Sequence, residues 1–303
     1  MSNGLFTRLS DRTILRLSGA ETRSFLQGLI TSDIDKLSST NSLYAGLLTP
    51  QGKILFDFFL VCHGDDVWLD CAVSASAELK KRLTFYKLRA AVDIEDMGDA
   101  LGVAAIWQAK APFGLESAAS ATTLVGGTAF MDPRFAKAGA RLIAPMDQIT
   151  ALMEEHGYAP AGEEDYHAHR IALGLADSVM DIGSGEHFPH ECNFDQIDGV
   201  DFKKGCYVGQ EVVSRTEHRG TARKRLVPLL FEVDAPAPGT DIAGNGKTIG
   251  TISSTAGKRA LGLVRLDRAQ TVLEADATLS AEDHTVRLVK PDWAGFDVPG
   301  AVE

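Results

Sequence analysis

Phe202-Lys203-Lys204-Gly205-Cys206-Tyr207-Val208-Gly209-Gln210-Glu211 joins an acidic stretch of the chain to a basic one. Residues 151–201 carry twelve acidic side chains and one basic one, Arg170. Residues 203–225 reverse this, with Lys203, Lys204, Arg215, Arg219, Arg223, Lys224 and Arg225 against Glu211 and Glu217. A basic island in an acidic protein can hold an anion such as a carboxylate tail or phosphate; its plain alternative is a solvated helix face. The spacing of Val208, Val212 and Val213 predicts a helix over Tyr207–His218, with Gly205 and Gly209 allowing close approach of backbone or ligand. Cys206 would then lie at a helix N-terminus beside lysines, where a thiol gains thiolate character. The competing reading is a small buried core cysteine.

Outward from that stretch, the chain has an ordinary globular make-up. It is 303 residues long, 45% hydrophobic and 23% charged, with a net charge of −11. The length suggests about two domains, and the acidic balance argues against a protein devoted to nucleic acid. No apolar run approaches the roughly 20 residues that span a bilayer. The start, Met1-Ser2-Asn3-Gly4-Leu5, lacks the pattern of a secretory signal. Four cysteines form no disulfide framework, so a reducing, cytoplasmic setting is expected, bacterial rather than mitochondrial for want of a presequence.

Ser18-Gly19-Ala20-Glu21 reads as a capping box opening a helix with Phe25, Leu26, Leu29 and Ile30 on one face. Leu43–Leu48 and Ile54–Cys62 read as strands joined by the turn Thr49-Pro50-Gln51-Gly52. Val67–Val73 is a third strand, Ala75–Arg89 a helix, and Ala91–Ile94 and Leu101–Trp107 strands again. Residues 109–130, rich in Ala, Ser, Thr and Gly, read as a surface loop. Helices are expected over Asp147–His156, capped by Asp147, and over Asp165–Leu175. Such a mixture indicates an α+β region with mainly antiparallel sheets. Beyond Arg225, short apolar segments between Pro-, Gly- and Asn-bearing turns indicate a small β-barrel or sandwich. The boundary falls near residue 225.

Two apparent motifs fail on spacing. Gly244-Asn245-Gly246-Lys247-Thr248 lacks the first glycine of a phosphate loop, Asp241 standing there, and lies in a β-turn-β pattern. Five histidines at 156, 167, 169, 187 and 190 match no common metal motif, so no metal site is expected. Asp57 is more informative. It stands in Ile54-Leu55-Phe56-Asp57-Phe58-Phe59-Leu60-Val61, on the face of Leu55, Phe59 and Val61, where a carboxylate must find donors, find a cation or take up a proton. It is either a strand-end acid facing solvent or an acid that binds an amine or heterocycle of a ligand.

The stretch 202–211 resembles the signature of the YgfZ-like proteins, folate-binding relatives of the glycine-cleavage T-protein whose mitochondrial counterparts act late in assembling [4Fe–4S] proteins. Phe25-Leu26-Gln27-Gly28-Leu29-Ile30-Thr31-Ser32-Asp33 resembles the family's first helix and turn, Leu48–Asp57 its second block and Tyr86-Lys87-Leu88-Arg89 its third. Arg170–Gly174 and Pro189–Asp195 resemble the segments before the cysteine. The resemblance implies a T-protein-like fold, with residues 1–225 as the folate-binding α+β region (46–140 a possible ferredoxin-like subdomain) and 226–303 as a C-terminal β-barrel. It implies a central cavity holding tetrahydrofolate, with Asp57 facing the pterin and Glu191, Asn193 and Gln210 as further contacts. Arg89 and Arg215 would be cationic partners for the tail, and Cys206 and Lys204 the characteristic functional pair.

Paired acids of T-proteins are replaced here by Phe56-Asp57, so the expected role is a folate-dependent factor that assists assembly or repair of iron–sulfur client proteins, with Cys206 as its thiol. The alternative is an aminomethyl or other C1 transferase of the T-protein type. A third reading, RNA binding by residues 203–225, would show steep salt dependence.

Overall fold

The turn Thr49–Gly52 starts the architecture. Its Gly52 N–H donates to the Thr49 carbonyl at 2.8 Å with Gly52 at φ +82°, and the chain reverses between Leu43–Leu48 and Ile54–His63. The computed structural model of the chain describes residues 3–220 and 222–302. Its first sheet has the order Leu43–Leu48, Ile54–His63, Asp66–Ala72, Arg12–Ser18, Asp93–Asp96, with each neighbouring pair antiparallel. The helix Val73–Lys87 buries Leu79 and Leu83 in the core of this sheet.

A second sheet runs Ala159–Pro160, Leu5–Leu9, Leu101–Trp107, Ala140–Pro145, Gly127–Met131, Ala121–Leu124, the pair at its first edge being parallel. Tyr44, Phe59 and Val61 of the first sheet share one core with Val103, Trp107, Phe130 and Ile143 of the second. The sheets therefore pack face to face, and alternation along Ile54–His63 divides its side chains between this shared core and the helix-covered one. Residues 46–140 supply strands to both sheets.

The third unit is a closed six-stranded barrel of Lys224–Leu230, Arg259–Arg265, Lys247–Ala256, Asp241–Gly244, Leu279–Ala281 and His284–Leu288. Gly244-Asn245-Gly246-Lys247 is the hairpin turn expected, with Asn245 and Gly246 both at positive φ.

Three local expectations are corrected. Residues 109–130 are not simply a loop, since Ala121–Leu124 and Gly127–Met131 form a hairpin whose second strand is wholly buried. The small residues that read as a loop are needed for close packing: a Cβ on Gly127 would lie 2.4 Å from the Ile143 carbonyl oxygen. Ser18 ends a strand instead of capping a helix; the helix Thr22–Gln27 begins after Glu21, whose carboxylate accepts from the Ala91 N–H at 2.7 Å. Asp147 does not cap Ile149–Glu155, whose capping position is Gln148.

Candidate functional site

Asp57 stands on the central hairpin and is 5% exposed. Its Oδ2 accepts the Tyr44 hydroxyl at 3.0 Å. Burial raises its carboxyl above the usual aspartate value, with Arg12 the largest opposing influence. The acid forms the inner end of a cleft of 310 Å³ whose walls include Leu55, Phe56, Ala72, Ala75, Ser178 and Val179. Part of the outer wall is the single π-turn Ser178–Ile182, pinned where the Asp177 carboxylate accepts the Val179 and Met180 N–H groups, each at 2.9 Å. Cys71 also lines the cleft, but burial pushes its thiol up to about 12, so it is not a thiolate at neutral pH.

Behind Asp57, a network of buried ion pairs fills the space between the sheets. Arg12 and Arg141 clasp Asp70 at 2.7 and 2.9 Å. Arg134 holds Asp132 at 2.8 Å, and Arg170 holds Asp181 at 2.5 Å. Arg12, Arg134 and Arg141 also lie over the Phe59 ring, 4.1–5.8 Å from its centroid. The void left in the middle is about 20 Å³, room for one water. The expectation of a central cavity holding tetrahydrofolate is thus corrected. A pterin does not fit among these arginines, whereas the cleft in front of Asp57 has the size of a small-ligand pocket, about 300 Å³ or more. Its lining suits the N–H edge of a heterocycle, with one buried carboxyl to accept and mostly apolar walls around it.

Cys206 is exposed. It does not lie at a helix N-terminus, because the helix spans Gln210–Arg219 and begins four residues later. The reason is Gly209, at φ +83°, which turns the chain where it meets the central hairpin; a Cβ there would lie 2.5 Å from the Thr49 carbonyl oxygen. Lys204 is 8% exposed and spends its three N–H groups on the carbonyls of Gln27, Ile30 and Ser32, at 2.9, 2.7 and 2.9 Å. Burial pushes its pKa down to about 8. The expected catalytic Lys204 is corrected to an anchor, since an ammonium with every donor engaged has none left for a substrate.

The other expected contacts do not converge on Asp57. Glu191 accepts the Phe188 N–H at 2.9 Å and lines a separate hollow with Arg223 and Lys224. Asn193 is buried and donates to the Leu226 carbonyl at 2.7 Å, tying its segment to the barrel. Gln210 opens the helix after Gly209, Arg215 is exposed on that helix, and Arg89 is exposed in the turn after Val73–Lys87. The basic island is divided. Lys204 and Arg225 are internal, Arg225 gripping Asp195 at 2.5 and 2.8 Å, while Lys203, Arg215, Arg219, Arg223 and Lys224 face solvent. Among the described residues, His190, Asp195 and Glu217 alone cluster with potential metal-ligand spacing, and all three are engaged, with Glu217 on His190 at 3.0 Å and Asp195 on Arg225. Tyr44, Arg12, Arg134, Arg141 and Ser178 were missed as site residues. A signal existed for Arg141, the one cation in the otherwise apolar strand Ala140–Pro145.

Two packed sheets, a closed barrel and the Asp57 cleft define a protein of the T-protein-like fold. The solved glycine cleavage system aminomethyltransferase T from Bartonella henselae superposes with a TM-score of 0.76, covering 94% of this chain and 84% of that one; at 15% identity the likeness is one of fold. Residues 223–296 match the family model of the CAF17 C-terminal beta-barrel domain. The chain is 32% identical to the human mitochondrial iron-sulfur cluster assembly factor IBA57, over 94% of this chain and 84% of the human protein. It is 30% identical to the mitochondrial IBA57 homolog of Neurospora crassa, over 80% of this chain and 57% of that protein's length. The chain belongs to the IBA57 family of iron–sulfur cluster assembly factors. The expected bacterial cytoplasmic setting is corrected by the same relatives, which are mitochondrial proteins by name and point to that compartment.

Proposed function

We propose that this chain assists the assembly of iron–sulfur proteins, with Cys206 as its working thiol and the Asp57 cleft as the site for a reduced folate. The observation that carries the reading is the placement of Cys206. It is the one exposed cysteine of the four, at the apex of a segment held by a buried lysine on one side and a close-packed glycine on the other. An exposed thiol on a fixed support can meet a partner's cluster or thiols without first unfolding its own surroundings. The membership in a family of assembly factors supports the same role.

For the folate, support comes from the T-protein-like fold and from a cleft ending in a buried carboxyl. Asp57 would accept the N–H edge of the pterin, and Leu55, Phe56 and Ala75 would pack against the ring. Bound folate would supply a one-carbon carrier; holding and orienting it falls to these residues. In cells lacking the endogenous protein, a Cys206→Ala copy is expected to leave [4Fe–4S] enzyme activities near the deletion level. Full restoration by that copy would remove the thiol from the reading. Calorimetry with tetrahydrofolate tests the cleft, with at least tenfold weaker binding expected for Asp57→Asn.

Aminomethyl or methyl transfer is the second reading, favoured by the same acid at the end of the cleft. It requires turnover of an aminomethyl or N-methyl donor with tetrahydrofolate, and no turnover with any such donor would dismiss it.

A further inference from the structure

Asp57 and Cys206 lie in different parts of the chain, yet one run of buried hydrogen bonds joins them. The Asp57 carboxylate accepts from the Tyr44 hydroxyl at 3.0 Å, and the Tyr44 carbonyl accepts from Ser32 Oγ at 2.6 Å. The Ser32 carbonyl in turn accepts from Lys204 Nζ at 2.9 Å, two residues before the thiol. Tyr44, Ser32, Asp57 and Lys204 are all buried. The neighbouring Thr31 strengthens the same link: its hydroxyl accepts the Gly46 N–H at 2.7 Å and donates to the Gly199 carbonyl at 2.6 Å, and its carbonyl accepts the Asp201 N–H at 2.9 Å.

A second handle sits on the far side of the thiol. Gly209 packs on the Thr49–Gly52 turn, and a Cβ on Gly52 would in its turn meet Val212 at 2.9 Å and the Gly209 carbonyl oxygen at 3.1 Å. That turn closes the hairpin whose two strands carry Tyr44 and Asp57. The segment 204–209 is thus held directly on the central hairpin at its Gly209 end, and at its Lys204 end through residues 27–32, of which Ser32 bonds the Tyr44 carbonyl.

We infer that Tyr44 and Lys204 are positioning residues through which the occupant of the Asp57 cleft sets the placement of the Cys206 thiol; this rests on the reading of the cleft as a reduced-folate site. A heterocycle N–H that binds Asp57 Oδ2 competes with the Tyr44 hydroxyl for that oxygen. A buried hydroxyl is not left without a partner at no cost, so Tyr44 and its strand adjust. The adjustment reaches Ser32 through the Tyr44 carbonyl and Lys204 through the Ser32 carbonyl. Lys204 has either all three carbonyls or a looser set, and the loop it holds has two corresponding placements. The folate then acts as an effector of the thiol as well as a ligand.

Cys62, Cys71 and Cys192 are buried, so alkylation of the folded protein by iodoacetamide reports on Cys206. In the full-length protein, saturating tetrahydrofolate is expected to change the Cys206 alkylation rate at least threefold, with a midpoint matching the calorimetric dissociation constant. In Ser32→Ala, which leaves the cleft and the Tyr44–Asp57 hydrogen bond in place, tetrahydrofolate still binds but the rate no longer responds; Ser32→Cys is avoided as a second thiol, and Ser32→Gly is the second variant should the first fold poorly. Binding without any change in rate in the wild type overturns the coupling and leaves the folate reading intact. Absence of binding removes the folate reading, and the coupling is then decided without ligand: Tyr44→Phe and Asp57→Asn must each shift the Cys206 rate at least threefold, and wild-type rates in both overturn it.

Discussion

Gly209 shows how much one residue decides. It sits at φ +83°, where an L side chain is strained, and its missing Cβ makes room for the Thr49 carbonyl. Gly209→Ala is expected to cost at least about 2 kcal/mol from the left-handed backbone and the clash together, read as a lowered denaturation midpoint. Asp57 makes the pH dependence specific. Burial holds its carboxyl above the usual range, so between 3.8 and the raised value the folded protein binds more protons than the unfolded chain. Its contribution to stability therefore falls as pH rises through that window, and the penalty persists above it. Asp57→Asn has no such penalty and should gain stability relative to wild type on going from pH 3 to pH 7, measured by urea unfolding. An unchanged difference at the two pH values would show that Asp57 titrates in the ordinary aspartate range.

At the scale of elements, four buried arginines gather around one small void: Arg12 and Arg141 on strands where patterning alone expects apolar residues, Arg134 in the connection after Gly127–Met131 and Arg170 on the helix Glu163–Ala172. Asp70, at 0% exposure, receives both Arg12 and Arg141. Removing it strands two buried cations, so Asp70→Asn should destabilise by about 3–5 kcal/mol in thermal or denaturant unfolding. The strands Leu43–Leu48 and Leu101–Trp107 were readable to the residue because apolar runs bounded by turns leave little choice. The hairpin at 121–131 was not, since its small residues answer to the close approach of Ile143 from another part of the chain. The helix at 210 began late for a similar reason: Val208 fits the periodicity, but Gly209 must turn against the central hairpin.

Across the whole molecule, the segment after the barrel returns to the first region. Trp293 Nε1 donates to the Leu173 carbonyl at 2.8 Å, and its ring meets Gly174, which lies at φ +76° between Pro228, Pro291 and Trp293. Truncation after residue 288 removes that strap. It is expected to cost about 3 kcal/mol, from a half-buried Trp293, the buried Ala294 and Val298 and the Trp293 hydrogen bond, seen as a lower unfolding midpoint. A midpoint equal to wild type would mean the strap contributes nothing to holding the barrel in place.

Local order in this chain is written in its periodicity and turns. Alternating apolar residues, Pro50 and Gly52 at a reversal, and the Asn245-Gly246 pair between short strands specify the sheets and barrel, because side-chain period and positive φ are properties of neighbours. The same local reading located Asp57 within a buried strand and Cys206 within a glycine-flanked segment. Which groups share a site was decided only by tertiary packing. Lys204 looked like a reagent and is an anchor, because its three acceptors come from residues 27–32, and the central cavity is closed by arginines drawn from four separate segments. A hydrogen bond or ion pair across 170 residues leaves no periodic trace, so the link between the cleft and the thiol emerges only when the chain is folded.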